Sequence, residues 1–239
     1  MSATRPTLFV MTDGSGGGGV SRLDSTTQLL AETASTAGSI YGQLSDRQLY
    51  RQILEGDVET TAAMAFELAD FLVAADVGTF VADAWQLYNP AHDLCRIIAN
   101  FATRLARARG AQVAAFDYAV VDPPPAAAAD VTLLLDDAAL DRKLRAALAY
   151  GGLYDDVTDA MRGGADPLRH ERLYRVDIDA LPAVDATPFY ESEGERRVAG
   201  GRYAEVLRYR EHVVPFIDKM AEALDLRHLR QLRELRQVV

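Results

Sequence analysis

Short, uninterrupted apolar runs alternate with helix-period segments along the first half of this chain, and that alternation leaves few folds open. Thr7-Leu8-Phe9-Val10-Met11 is such a run, bounded by Pro6 and by Thr12-Asp13-Gly14. A run of this kind fits a strand buried on both faces, as parallel strands are. A helix is predicted over 21–34, with Leu23, Leu29 and Leu30 turned inward, and a second short strand over 39–44. Ser45-Asp46-Arg47-Gln48 has the form of a capping box, in which the serine side chain bonds the backbone three residues on while the glutamine reaches back. The helix it opens runs to Leu54 and stops at Gly56. Residues 58–73 place Ala62, Phe66, Ala69 and Leu72 on helical spacing and lead into an apolar strand over 79–82. The order βαβααβ predicts an α/β, Rossmann-like fold with a largely parallel sheet flanked by helices. The runs at 7–11 and 79–82 are expected in one sheet, so that the loops carrying Asp13 and His92 open on one edge.

The pattern continues with a helix over 94–109, whose apolar stripe is Leu94, Ile97, Ile98, Phe101 and Leu105, and a strand candidate over 113–121. Pro123-Pro124-Pro125 and four alanines break the chain before an edge strand over 131–135, helices over 136–150 and 153–161, and a β-like stretch over 171–176. Residues 188–197 form a polar and aromatic arm, followed by a helix from 203 to about 224 that carries Tyr209, Arg210 and His212. Leu226, Leu229, Leu232 and Leu235 recur at a uniform spacing of three, which drifts around a helix and makes no coiled-coil seam. The expected organisation is an α/β domain over 1–185 with the helical extension 186–239 packed on it.

Composition removes several functions. A net charge of −10 and a pI near 4.9 argue against nucleic-acid or anionic-membrane partners, which need clustered positive charge. Cys95 is the sole cysteine, so no disulfide framework or thiolate metal cluster is expected, and its expected place is buried on the helix after the His92 loop. No apolar run reaches membrane-spanning length, and Met1-Ser2-Ala3-Thr4-Arg5-Pro6 carries no secretory hydrophobic region. The expected location is cytoplasmic, the low lysine content suggests a GC-rich bacterial genome, and the sequence leaves homo-oligomerisation open.

The stretch with the most chemistry is Leu87-Tyr88-Asn89-Pro90-Ala91-His92-Asp93-Leu94-Cys95-Arg96. It reads as a strand-to-helix loop, and in open α/β sheets ligands bind in such loops at the carboxyl ends of strands. Asn89-Pro90 holds the backbone extended, leaving His92 and Asp93 at the helix amino terminus beside unpaired N–H groups. Asp83 and Trp85 end the preceding strand. The candidate catalytic residues are therefore His92, with Asp83 or Asp93 orienting it; Trp85, Tyr88, Asn89, Tyr190 and Glu191 are candidates for substrate binding. Asp13, Gly14 and Arg22 flank a glycine-rich loop, Gly16 to Gly19, laid out as strand, loop and helix like an anion cradle, though without the spacing of a P-loop or a dinucleotide fingerprint.

The order of these features resembles the LmbE-like, or PIG-L, superfamily of zinc-dependent N-deacetylases. Thr12-Asp13-Gly14 at a strand end, Leu44-Ser45-Asp46 before helices, Asn89-Pro90-Ala91-His92 in place of a His-Pro-Asp-His loop, Arg142-Lys143-Leu144 through Tyr150, and Glu171-Arg172-Leu173-Tyr174-Arg175 carry the likeness, over roughly residues 7–176. The resemblance implies removal of an acyl group from an amino sugar or related amide, and makes His92 the recognisable zinc ligand. Family members open with a strand ending in His-Pro-Asp-Asp that supplies two further ligands and the base, and nothing of that form precedes Thr7. Catalytic zinc takes about three protein ligands and an open position. The zinc site is therefore expected to be incomplete and no cofactor is expected. An enzyme acting on a small polar metabolite is the leading expectation; a non-catalytic protein binding a ligand or partner through the same cleft is the alternative, and a phosphate- or nucleotide-binding protein using the glycine loop is the weaker one.

Overall fold

The structure, a computed structural model, describes residues 5–121, 123–180, 184 and 186–237. It is an α/β protein of Rossmann-like kind whose order is β1 (Thr7–Thr12), α1 (Leu23–Glu32), β2 (Thr36–Leu44), α2 (Asp46–Glu55), α3 (Glu59–Ala74), β3 (Thr79–Asp83), α4 (Pro90–Ala108), β4 (Ala114–Tyr118), β5 (Val131–Leu134), α5 (Asp137–Ala149), α6 (Tyr154–Met161), β6 (His170–Arg175), α7 (Phe189–Ala199) and α8 (Val214–Gln237). By contacts it divides into two compact units, one comprising the chain up to Leu49 with Val131–Arg172, the other Tyr50–Asp130 with the chain from Leu173 onward. This grouping cuts across residues 1–185 and places the arm and its helices with Tyr50–Asp130. Among the described residues no helix is long and apolar enough to cross a membrane.

In the first unit β1 and β2 pair in parallel as a two-stranded sheet, in a register that shifts between Leu8 and Val10 and again between Val10 and Thr12. Gly42 turns with φ +66, and the Leu23 side chain fills the place a Cβ would take, which seats α1 on β2. The capping box forms as predicted: Ser45 N–H donates to Gln48 Oε1 at 2.8 Å and Gln48 N–H to Ser45 Oγ at 3.3 Å. The residues that resemble the deacetylases late in the chain are structural ties here. Lys143 pairs with Glu171 at 2.6 Å and donates to the Leu168 carbonyl at 3.0 Å, while the Tyr150 hydroxyl meets Thr26 Oγ1 at 2.7 Å.

The second unit holds most of the core. α3 and α4 carry alanines with essentially no exposure, Ala62, Ala65 and Ala69 on one and Ala99, Ala102 and Ala106 on the other, so the helices approach closely. Met64, Leu72, Ile97, Phe216 and Met220 are buried among α3, α4 and α8. β3 and β4 pair in parallel without a break from Thr79↔Ala114 to Asp83↔Tyr118, and the end of β6 runs antiparallel to β4 through Phe116↔Arg175 and Asp117↔Tyr174.

Four expectations are corrected. Among the described residues β1 and β3 do not share a sheet: β1 pairs with β2, and β3 with β4. The strand predicted over 113–121 ends at Tyr118, because the amides of Val120 and Val121 are taken by Gln86 Oε1 at 2.7 and 3.0 Å. The arm over 188–197 is helical, as α7. Helix following it starts at Tyr209 rather than 203, with a π-helical turn over Tyr209–Val213, because Pro215 has no N–H to continue the ladder and the Val214 N–H reaches back to the Tyr209 carbonyl. The backbone of α8 runs to Gln237, while the side chains of Leu226, Leu229, Leu232 and Leu235 lie outside the described residues.

Ile97 is 2% exposed and sits on the α4 face that closes this core. Ile97→Ala is expected to cost about 2–5 kcal/mol in urea unfolding with an unchanged m-value.

Candidate functional site

The site is built at the carboxyl end of β3, from the loop to α4. Asn89 caps the helix with extended backbone, φ −142 and ψ 123, its Oδ1 accepting the Ala91 N–H at 2.9 Å, and Pro90 occupies the first turn, where a missing N–H costs nothing. The helix thus begins at Pro90, earlier than the predicted start near Asp93, and His92 and Asp93 lie inside its first turn. Successive helical residues point about 100° apart, and the pair divides accordingly. His92 Nδ1 lies 2.6 Å from Asp83 Oδ2, with side chains 40% and 33% exposed. Asp93 turns inward, 2% exposed, and its Oδ1 accepts the backbone N–H groups of Gln86 and Leu87 at 3.0 and 3.1 Å. Leu87 has φ +55, a left-handed conformation costly for a branched side chain. The Asp93 carboxylate is what holds it there. Asp93, a candidate partner for the histidine, instead fixes the loop, and Asp83 is the residue that orients His92.

A second acid, which no local pattern singles out, lies beside them. Asp117, on β4 opposite the end of β3, has Oδ1 2.9 Å from Arg96 Nε, close enough for an ion pair but not aligned for a hydrogen bond. Arg96 is buried on α4 and also donates to Asn100 Oδ1 and the Phe116 carbonyl, each at 3.3 Å. Burial pulls Arg96 below its ordinary value, partly opposed by Asp117. Burial raises the Asp117 carboxyl to about 6, with Arg96 acting against the shift and Asp83 adding to it. Register could have exposed this acid: it follows Phe116 in a strand parallel to β3, two residues before the strand gives way to a loop. Asp117 opens into a cleft of about 410 Å³, whose walls include Trp85, Gln86, Val121, Pro124 and Tyr174.

The remaining candidates divide between binding surface and scaffold. Trp85 is 9% exposed, meets Tyr209 edge to face at 6.0 Å, and lines the cleft. Tyr88 stacks on Phe189 at 5.1 Å, both rings exposed. Tyr190 is buried, and burial together with Asp93 pushes its hydroxyl well above the usual tyrosine range. Glu191 serves the π-helical turn, its Oε1 accepting the Tyr209 N–H at 2.8 Å and its Oε2 facing Arg208 at 3.4 Å. Cys95, expected to be buried, is partly exposed.

Asp13, Gly14 and Arg22 belong to the other unit. Asp13 Oδ1 accepts the Ser15 N–H at 3.0 Å and its carbonyl the Arg22 N–H at 2.8 Å, Gly14 supplies φ +65, and the Arg22 side chain lies against Gly14 and Gly152. The glycines form a 3-10 turn in which the Gly16 N–H is taken by the Asp46 carboxylate at 2.5 Å. An acid thus stands where a phosphate would have to sit.

The resemblance implies zinc, and the donors present do not fit it. Asp83 is occupied by His92, Asp93 by two backbone amides, and Asp117 by a guanidinium; among the described residues no group of three or more His, Cys, Asp and Glu side chains is placed to hold a metal ion.

No protein-family model matches the chain, and no curated protein does. Among solved structures, the crystal structure of the conserved protein TT1542 from Thermus thermophilus is similar in fold, with a TM-score of 0.50 and 17% identity over 77% of this chain and 85% of that one. That likeness bears on the fold alone.

Burial raises Asp93 from 3.8 to about 6, against the hydrogen bonds from Gln86 and Leu87, which favour the carboxylate. In the folded protein Asp93 and Asp117 therefore keep their protons above the pH at which the unfolded chain releases them. The stability this confers is full below about pH 4 and is lost as pH rises through about 6. Asn in place of Asp93 keeps the acceptor for both amides and removes the titration. Urea unfolding across this window is expected to show D93N gaining on the wild type as pH rises, by on the order of 3 kcal/mol; parallel curves would refute the assignment.

Proposed function

We propose that this chain is a divergent member of the LmbE-like (PIG-L) N-deacetylases, an enzyme that hydrolyses an amide of a small polar, sugar-like metabolite by acid–base chemistry. The observation that carries the reading is the 2.6 Å contact between Asp83 and His92 at the carboxyl edge of a parallel strand pair. With Nδ1–H donated to Asp83, His92 is held in the tautomer whose Nε2 accepts a proton. It takes that proton from water as the water oxygen bonds to the acyl carbon, and returns it to nitrogen as the C–N bond breaks, so atoms and charge balance without a further reactant. Asp83 orients the ring and stabilises the imidazolium that forms. We place the protein in the cytoplasm, with a small-molecule substrate as its partner.

The second reading is a ligand-binding protein without turnover; it is supported by the donor set, since among the described residues no group of three or more His, Cys, Asp and Glu side chains is placed to hold a metal ion. One variant separates the two. His92 and Asp83 are both partly exposed, and exposed pairs contribute little to stability. His92→Ala is therefore expected to leave Tm nearly unchanged while amine release from a panel of N-acetylated sugars falls about a hundred- to ten-thousandfold. A variant that loses stability but keeps turnover would assign His92 to the fold instead, and absence of turnover in the wild type across the panel would leave the binding reading. Elemental analysis after gel filtration is expected to find well below one zinc per chain; stoichiometric zinc would overturn the metal-free mechanism.

A further inference from the structure

We infer that the cleft at Asp117 is a binding site for a small organic cation, a ring-bearing primary ammonium. This goes beyond the proposed hydrolysis, which asks only for a small polar substrate, and rests on it for nothing but the location at the β3–β4 edge.

The charge of the cleft sets the class. Of the described residues that line it, Asp117 is the one that bears charge; Trp85, Tyr174 and Pro124 give aromatic and apolar walls, and Ala84, Ala119 and Val121 are small and apolar. Gln86 shapes the cleft more than it recognises anything, because its Oε1 accepts the Val120 and Val121 amides and its Nε2 donates to the Val121 carbonyl. The Tyr174 hydroxyl is likewise committed to the Pro124 carbonyl at 2.9 Å. No described cation lines the cleft. Arg96, 3% exposed, sits behind Asp117 and is engaged with it, with Asn100 and with the Phe116 carbonyl. The carboxylate is thus anchored from behind, with Oδ1 buried against the guanidinium and the side chain still 23% exposed. Asp83 adds negative charge to the same edge. An acid flanked by an indole and a phenol is the setting in which an ammonium gains both an ion pair and attraction to ring faces, and in which an anion gains neither. The volume, about 410 Å³, admits a single six-membered ring with its substituents.

Trp85 is the only tryptophan of the chain and lines this cleft, so its fluorescence reports occupancy in the unaltered protein. The full chain is titrated at pH 7.5 with cyclohexylamine, cyclohexanol and cyclohexanecarboxylate, which share a ring and differ in charge. The expected result is a saturable change with the amine, an affinity about tenfold or more weaker for the alcohol, and no saturation with the carboxylate. Equal affinities, a preference for the carboxylate, or no saturable change with the amine would overturn the inference. In Asp117→Asn, checked for folding by far-UV circular dichroism, the preference for amine over alcohol is expected to vanish; its survival would also overturn the assignment to Asp117. If that variant does not fold, the three-probe series on the native chain decides alone. The titration reads occupancy and not turnover, so its failure removes the ligand class and leaves the His92 chemistry to the amine-release assay.

Discussion

The buried carboxylate of Asp93 is the constraint on which the rest of the site depends. By accepting the Gln86 and Leu87 amides it holds Leu87 in a left-handed conformation that the residue would not choose. The Leu87 carbonyl then receives the Phe189 N–H at 2.9 Å, which ties the start of α7 to the loop. Gln86, fixed at its own backbone, reaches across to the strand end of β4 and stops that strand at Tyr118. One inward-facing acid thus positions the histidine's helix, a wall of the cleft and the helix that carries Tyr190. Its cost is visible in its chemistry. Among the described residues, Asp93 Oδ2, the Tyr190 hydroxyl and the Trp85 indole N–H are buried without a hydrogen-bond partner, and burying a polar group unpaired costs free energy.

Charge is arranged in two layers along α4. On the outer side His92 meets Asp83, with solvent reaching both; on the inner side Arg96, one helical turn on, meets Asp117. The outer pair is open to solvent. The inner pair keeps an acid at the cleft without leaving its counter-charge free to attract anions. This division follows from helix phase: around α4 position 96 falls between 92 and 93, so Arg96 is buried like Asp93 while His92 keeps its exposure.

Much of the fold was legible because it rests on local signals. The apolar runs at 7–11 and 79–82 became β1 and β3, the Ser45–Gln48 capping box formed as written, and the spacing of Ala62, Ala69 and Leu72 gave the buried face of α3. What was not legible rests on contacts distant in sequence. Nothing in 7–11 says that its strand pairs with 36–44, and nothing in 203–208 says that helix is delayed until Glu191 accepts the Tyr209 N–H. At the site, His92 and Asp83 could be named because they bracket one short loop. Asp117 is singled out by no local pattern; only its register with β3, together with Arg96 on the helix between them, brings it to the site. Asp93 was named for the wrong partner, because sequence shows that two acids flank His92 but not which one the helix turns inward.

The central claim is that Asp83 and His92 act as one unit. A double-variant cycle on amine release from an N-acetylated sugar, comparing Asp83→Asn, His92→Ala and the two together, tests it most directly. Residues that act as a unit lose little more together than singly. The account predicts that adding D83N to H92A lowers turnover no further, whereas D83N alone lowers it. Losses that multiply, or a D83N enzyme as active as the wild type, would contradict it.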